Sequence, residues 1–115
     1  MKAKPLIALL ALASSFAYAG GNVSAGAEKS AVCAACHGAD FNTPISPDIP
    51  RLAGQYPDYL ARALKDYKSG VRKNPVMDSQ VVALSAQDID DLAAYISGLP
   101  GSLKVIPLQR FLSSK

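Results

Sequence analysis

Cys33, Cys36 and His37 fall within five consecutive residues, inside "AVCAACHGAD" at 31–40, and they are both cysteines and the single histidine of the chain. Such a cluster supports three chemistries: a thiol–disulfide pair, a metal site, or covalent attachment of a haem. A closed structural zinc site needs four Cys or His ligands, and this chain offers three, crowded on one turn. A redox CxxC pair suits an oxidising compartment. That chemistry is usually presented at a helix start in a strand–helix–strand setting, however, and it leaves His37 without a role. Haem attachment uses every member of the cluster. Two thiols spaced by two residues on a helical turn can each add to one vinyl group of the porphyrin. The next residue is then held beneath the iron, where a neutral imidazole is a good axial ligand.

A six-coordinate iron needs a sixth ligand. Once Met1 is removed with a leader, Met77 is the one methionine left, in "NPVMDS", a stretch that reads as a loop between two helices. A lone methionine also serves as a gap-filling core residue. The loop position and the lack of another soft ligand favour iron. A lysine ligand would require a depressed pKa, and no lysine reads as buried.

The elements that must hold these side chains read as helical throughout. Tyr56, Leu60, Leu64 and Tyr67 recur at four- and three-residue steps, marking a helix after Pro57, and Ile89, Leu92, Ala93 and Ile96 do the same later. Ser85 with Asp88 resembles a capping box, and Gly98 and Pro100 supply the stop. The small, alanine-rich stretch from Ser24 to Ala35 predicts one further helix that another helix can approach closely. Residues 41–54, with three prolines, and 70–80 read as loops. Loops this long in a small domain usually enclose something.

The first nineteen residues read as an export signal: Lys2 and Lys4, an apolar run from Leu6 to Ala13, then Ala17-Tyr18-Ala19, the small-x-small pattern that signal peptidase recognises. The apolar run is too short to span a bilayer. Cleavage after Ala19 leaves a domain over 20–100 and an extension over 101–115. It also removes two of the 12 Lys and Arg, leaving 10 against 9 Asp and Glu. A nearly neutral mature chain gives no basis for nucleic-acid affinity. So small a domain is near the size where a core alone is marginal and a large apolar cofactor would help.

"CAACHG", "PRLAGQ", "YL..AL..Y..G.R", "NPVM" and "LS..DI.DLAAYIS" occur in the order found in class I c-type cytochromes, and the chain resembles that family up to about Leu99. The likeness is to small bacterial monohaem members and to single halves of periplasmic dihaem ones. The resemblance implies an all-α fold of three to five helices wrapped around one covalent haem c, with Tyr95 where the N- and C-terminal helices cross. It implies attachment at Cys33 and Cys36, iron ligation by His37 and Met77, and a hydrogen bond from the imidazole to the carbonyl of Pro50. Leu52 would pack on the haem, and Tyr67, Arg72 and Asn74 would line the pocket or approach the propionates. Phe41 departs from the glycine that relatives often carry after "HGAD".

The implied function is periplasmic electron transfer in a Gram-negative-type bacterium, without catalysis. Iron would cycle between ferrous and ferric states among respiratory partners, such as a quinol–cytochrome c reductase, a terminal oxidase or a periplasmic dehydrogenase or reductase. The alternatives are a haem subunit of a larger redox enzyme and a five-coordinate haem sensor or enzyme domain. Arg62, Lys65, Lys68, Arg72 and Lys73, opposed in their stretch by Asp66 alone, read either as a docking patch or as the solvated side of a helix.

Overall fold

The computed structural model describes residues 20–103 and Lys2; otherwise the expected leader 1–19 and the segment 104–115 lie outside the described residues. Five helices follow one another: α1 (Val23–Lys29), α2 (Ala31–His37), α3 (Pro57–Ser69), α4 (Pro75–Val81) and α5 (Ala86–Ser97). No strand occurs among the described residues. The fold is all-α, as expected.

α5 is the centre of the packing. Its start is a full capping box: Ser85 Oγ accepts from Asp88 N at 3.1 Å, and Asp88 Oδ2 accepts from Ser85 N at 2.9 Å. Ile89, Leu92, Ala93 and Ile96, the predicted stripe, are all buried. Phe41, Ala53 and Leu60 join Ala93 and Ile96 in one apolar cluster, flanked by Cys33, Leu52 and Tyr95. α3 starts with Pro57 at its first position and ends at Gly70, whose φ of +81° is the left-handed conformation that glycine adopts without strain.

The anticipated close approach occurs at Gly26, where α1 crosses α5. A Cβ there would fall 2.1 Å from Asp91 O and 2.8 Å from Tyr95 Cβ, so only a glycine lets the two backbones meet. Tyr95 therefore stands at the crossing. The expected single helix over 24–35 is two helices. Ser30 is buried and its hydroxyl donates to Ala27 O at 2.8 Å, taking a carbonyl the helix would otherwise use. The chain turns there and restarts as α2.

The expected loop over 70–80 is a second difference. Pro75–Val81 forms α4, because Asn74 caps it and Pro75 fills the first helical position, where a missing N–H costs nothing. Asn74 Oδ1 accepts from Val76 N at 3.0 Å and Met77 N at 3.1 Å.

An ionic knot ties α1 to α5. Lys29 Nζ lies 2.7 Å from both Asp88 and Asp91, and the buried Asp91 also accepts from Asn22 N (2.7 Å) and Gln87 Nε2 (2.8 Å). The Lys29 ammonium, then the Ser85 N–H and hydroxyl, pull Asp88 down to about 2. Lys29, then the Asn22 N–H and Gln87, do the same to Asp91. Both folded-state values lie below the unfolded-state value of about 3.9. The knot's contribution is therefore complete above about pH 4 and is lost as pH falls toward 2. The thermal midpoint should drop over that window. Asp91→Asn should flatten the drop and lower stability at neutral pH; an unchanged acid slope would show that other groups set it.

Candidate functional site

α2 carries Cys33, Cys36 and His37 on its last two turns, and the two thiols are three residues apart on one helical face. Both are free, half-buried thiols. Burial pushes the Cys33 thiol above its ordinary range, so it stands neutral. Gly38 then ends α2 with φ +91°, and a Cβ there would strike Thr43 O at 2.2 Å. The chain can leave the helix directly beneath His37 only because this residue is glycine.

The 41–54 loop is irregular, as expected, and is pinned at several points. Phe41 O accepts from both Leu52 N (2.8 Å) and Ala53 N (2.9 Å), and Ile45 N donates to Cys36 O at 3.0 Å. These bonds bring Pro50 under the buried His37, whose Nδ1 lies 2.9 Å from Pro50 O. A carbonyl oxygen can only accept, so Nδ1 carries the hydrogen. In the neutral imidazole this leaves the lone pair on Nε2, the tautomer suited to binding a metal.

Phe41 has a φ of +55°, the one left-handed non-glycine position among the described residues. The backbone here keeps the path glycine would take, while the ring is 1% exposed and meets Tyr95 edge-on at 6.3 Å between centroids. Left-handed strain of about 1–3 kcal/mol is outweighed by an aromatic core residue worth about 3–5 kcal/mol. Phe41→Gly should therefore destabilise the domain by about 2 kcal/mol, read as a lower denaturation midpoint. A rise in the midpoint would mean that strain dominates.

Met77 is half-buried on α4, an element that packs against α3. Leu52 flanks the apolar cluster beside Cys33. Tyr67 is half-buried on α3, and the Arg72 guanidinium lies over its ring, 4.9 Å from the centroid. A hydrogen bond with Tyr59 raises the Arg72 pKa further. Asn74 caps α4 and so sets the orientation of the turn bearing Met77. Sequence reasoning missed that role, although Asn-Pro is a recognisable helix start.

Much of the basic run has partners within the fold. Lys65 pairs with Asp90 at 3.1 Å, Arg62 lies 3.9 Å from Asp66, and Lys68 donates to Leu84 O.

The donor set fits a covalently held porphyrin iron: two thiols one turn apart, an imidazole next to the second with Nε2 free, and a thioether on another helix. No group of three or more His, Cys, Asp or Glu among the described residues could hold a bare metal ion.

Comparison with known proteins points the same way. The family model described as "Cytochrome c" matches residues 23–100. A cytochrome c4 of Pseudomonas aeruginosa is 47% identical over 81 residues, covering 70% of this chain and 40% of its own length. The chain thus spans less than half of that relative. Cytochrome c-554(548) of Halomonas halodenitrificans is 40% identical over 80 residues, covering 67% of this chain and 95% of its own length. The crystal structure of reduced recombinant cytochrome c4 from Pseudomonas stutzeri superposes with a TM-score of 0.68 at 42% identity, covering 73% of this chain and 48% of that one. With a matched model over most of its described residues and relatives that share its helical fold, this chain belongs to the cytochrome c family as a class I c-type cytochrome, a family whose cofactor is covalently bound haem c.

Proposed function

We propose that the chain is a periplasmic electron carrier with a single haem c, attached through Cys33 and Cys36 and ligated by His37 and Met77. The observation that carries this reading is the 2.9 Å contact between His37 Nδ1 and Pro50 O, which fixes the ring and leaves Nε2 as its one donor nitrogen. When bound, the haem supplies one-electron cycling between ferric and ferrous iron. The chain's own part is to hold the ligands still. α2 ends rigidly at Gly38, the pinned 41–54 loop locks the imidazole, and the Asn74 cap sets the first turn of α4.

A thioether ligand and an apolar surrounding both favour the ferrous state and raise the potential. If His37 and Met77 both served the iron, the protein would leave no open position there for a substrate, which favours a carrier over an enzyme. Export rests on the leader reading of residues 1–19, and no helix of the described residues is long and apolar enough to cross a membrane. The partners are redox proteins met by weak, fast encounter.

The test is the absorption spectrum of the exported protein, oxidised and reduced, with and without carbon monoxide. A c-type spectrum with the ferric methionine charge-transfer band and no response to carbon monoxide is expected. A carbon monoxide shift would move the reading to a five-coordinate sensor or enzyme domain. Absence of covalent haem would return Cys33 and Cys36 to thiol chemistry.

A further inference from the structure

The loop that carries Pro50 has no core of its own. No residue from 42 to 51 is buried, although Phe41 and Ala53, at its two ends, both are. Within the loop, Ile45 N is tied to Cys36 O, and Ile49 N closes a turn on Ser46 O at 3.2 Å. Its neck is closed where Phe41 O accepts from Leu52 N and Ala53 N. The place of the Pro50 carbonyl therefore depends on how firmly that neck is held.

A second segment grips the same neck. After α5 ends at Ser97, the chain runs back across both limbs of the loop. Gly54 N donates to Ile96 O at 3.4 Å, and Leu99 flanks the apolar cluster as Leu52 does. Gly101 lies so close to the returning limb that a Cβ on it would fall 2.0 Å from Ala53 O and 2.6 Å from Ala53 C. Ser102 N and Oγ both donate to Asn42 Oδ1 at 2.9 Å, across 60 residues of sequence, and so use both lone pairs of that oxygen. Arg51 Nη1 donates to Ser102 Oγ at 3.3 Å. Two consecutive residues, Gly101 and Ser102, thus hold Asn42 on the outgoing limb and Arg51 and Ala53 on the returning one. Arg51 directly follows Pro50, whose carbonyl oxygen lies 2.9 Å from His37 Nδ1.

We propose that Asn42, Gly101 and Ser102 form a clamp that positions the Pro50 carbonyl beneath His37 and so tunes the imidazole as an iron ligand. The inference rests on the reading of His37 as that ligand. A hydrogen bond from Nδ1 to a carbonyl raises the basicity of the ring, and a more basic ligand favours ferric iron. Loosening the clamp weakens that bond, so the potential should rise. A tie that served stability alone has no reason to meet both limbs within a residue of Pro50.

The experiment uses the full haem-loaded chain. Asn42→Ala removes the acceptor of both Ser102 bonds. In the ferrous protein the His37 Nδ1 hydrogen should then exchange with solvent about tenfold faster, its NMR resonance should move upfield, and the potential should rise. Ser102→Ala, which keeps its N–H bond to Asn42, should do the same by less, and Ser102→Thr, which keeps the hydroxyl, should match the wild type. Gly101→Ala should act like Asn42→Ala by pushing the segment off Ala53; if it fails to fold, Asn42→Ala still decides. Asn22→Ala is the control. It loses the α1 cap on Ala25 N at 2.9 Å, so it should lower stability while leaving the Nδ1 hydrogen and the potential unchanged. Wild-type exchange and potential in Asn42→Ala, or equal changes in Asn22→Ala, would overturn the clamp while His37 ligation stood. A ferric wild-type protein whose His37 ring signals lack a large paramagnetic shift would overturn the ligation itself, and this inference with it.

Discussion

Gly26→Ala should lower the stability of the domain by about 3 kcal/mol, and Gly26→Val should leave little folded protein at 25 °C. In an exposed helix interior the alanine change is favourable by about 1 kcal/mol, because glycine is the poorer helix former. Here the sign reverses. The new Cβ would lie 2.1 Å from Asp91 O, 2.7 Å from Asp91 C and 2.8 Å from Tyr95 Cβ. Two of these atoms are backbone of α5 and cannot rotate away. Relief requires α1 to lift, which would pull Lys29 from Asp88 and Asp91 and Asn22 from Asp91. Gly70→Ala is the matched control. Nothing lies within 4 Å of a Cβ there, so its cost is the left-handed backbone alone, about 1 kcal/mol. Denaturant unfolding of the two haem-loaded variants should separate them clearly. A Gly26→Ala midpoint at or above that of Gly70→Ala would mean that α1 and α5 do not touch backbone to backbone.

The legibility of this fold in its sequence follows the range of the interactions. α5 could be read fully, because its capping box and its stripe of Ile89, Leu92, Ala93 and Ile96 are local patterns that the core then uses unchanged. α3 was readable in extent but less so in burial: Leu60 is buried, while Tyr56 stays 54% exposed. The break at Ser30 left no local trace, since its back-bond to Ala27 O is held by burial that only the tertiary packing supplies. α4 was misread for the opposite reason. Asn74-Pro75 is locally ambiguous, serving a turn or a helix start equally well, and the cap decides it. At the site, the types and spacing of Cys33, Cys36 and His37 suggested a chemistry, and the likeness to relatives pointed to Pro50, whose carbonyl does lie 2.9 Å from His37 Nδ1. Sequence could not give the left-handed backbone of Phe41, which is tolerated because its ring fills the core against Tyr95. Nor could it show that Lys65 is already paired with Asp90, which weakens the run of cations as a free docking patch.

Met77→Ala should convert the protein from one that ignores carbon monoxide to one whose reduced spectrum shifts on its addition. The same change should remove the ferric methionine band and lower the potential. The argument starts from α4. Its first turn is set by Asn74, whose side chain holds the N–H groups of Val76 and Met77 at 3.0 and 3.1 Å, while Asn74 N donates to Asp78 Oδ1 at 3.2 Å. That closed turn gives Met77 one backbone orientation, half-buried, while its neighbour Val76 is 61% exposed. Under the proposed ligation, losing the thioether would remove the ligand that favours ferrous iron, so the potential should fall. Val76→Ala should change neither spectrum nor potential. Asn74→Ala should lie between the two: losing the cap costs about 1 kcal/mol of helix stability, so the methionine band weakens without vanishing and returns in Asn74→Asp. A gap-filling methionine would behave otherwise. Met77→Ala would then lower stability while leaving the band, the potential and the indifference to carbon monoxide as they were, and the sixth ligand would have to be sought elsewhere in the chain.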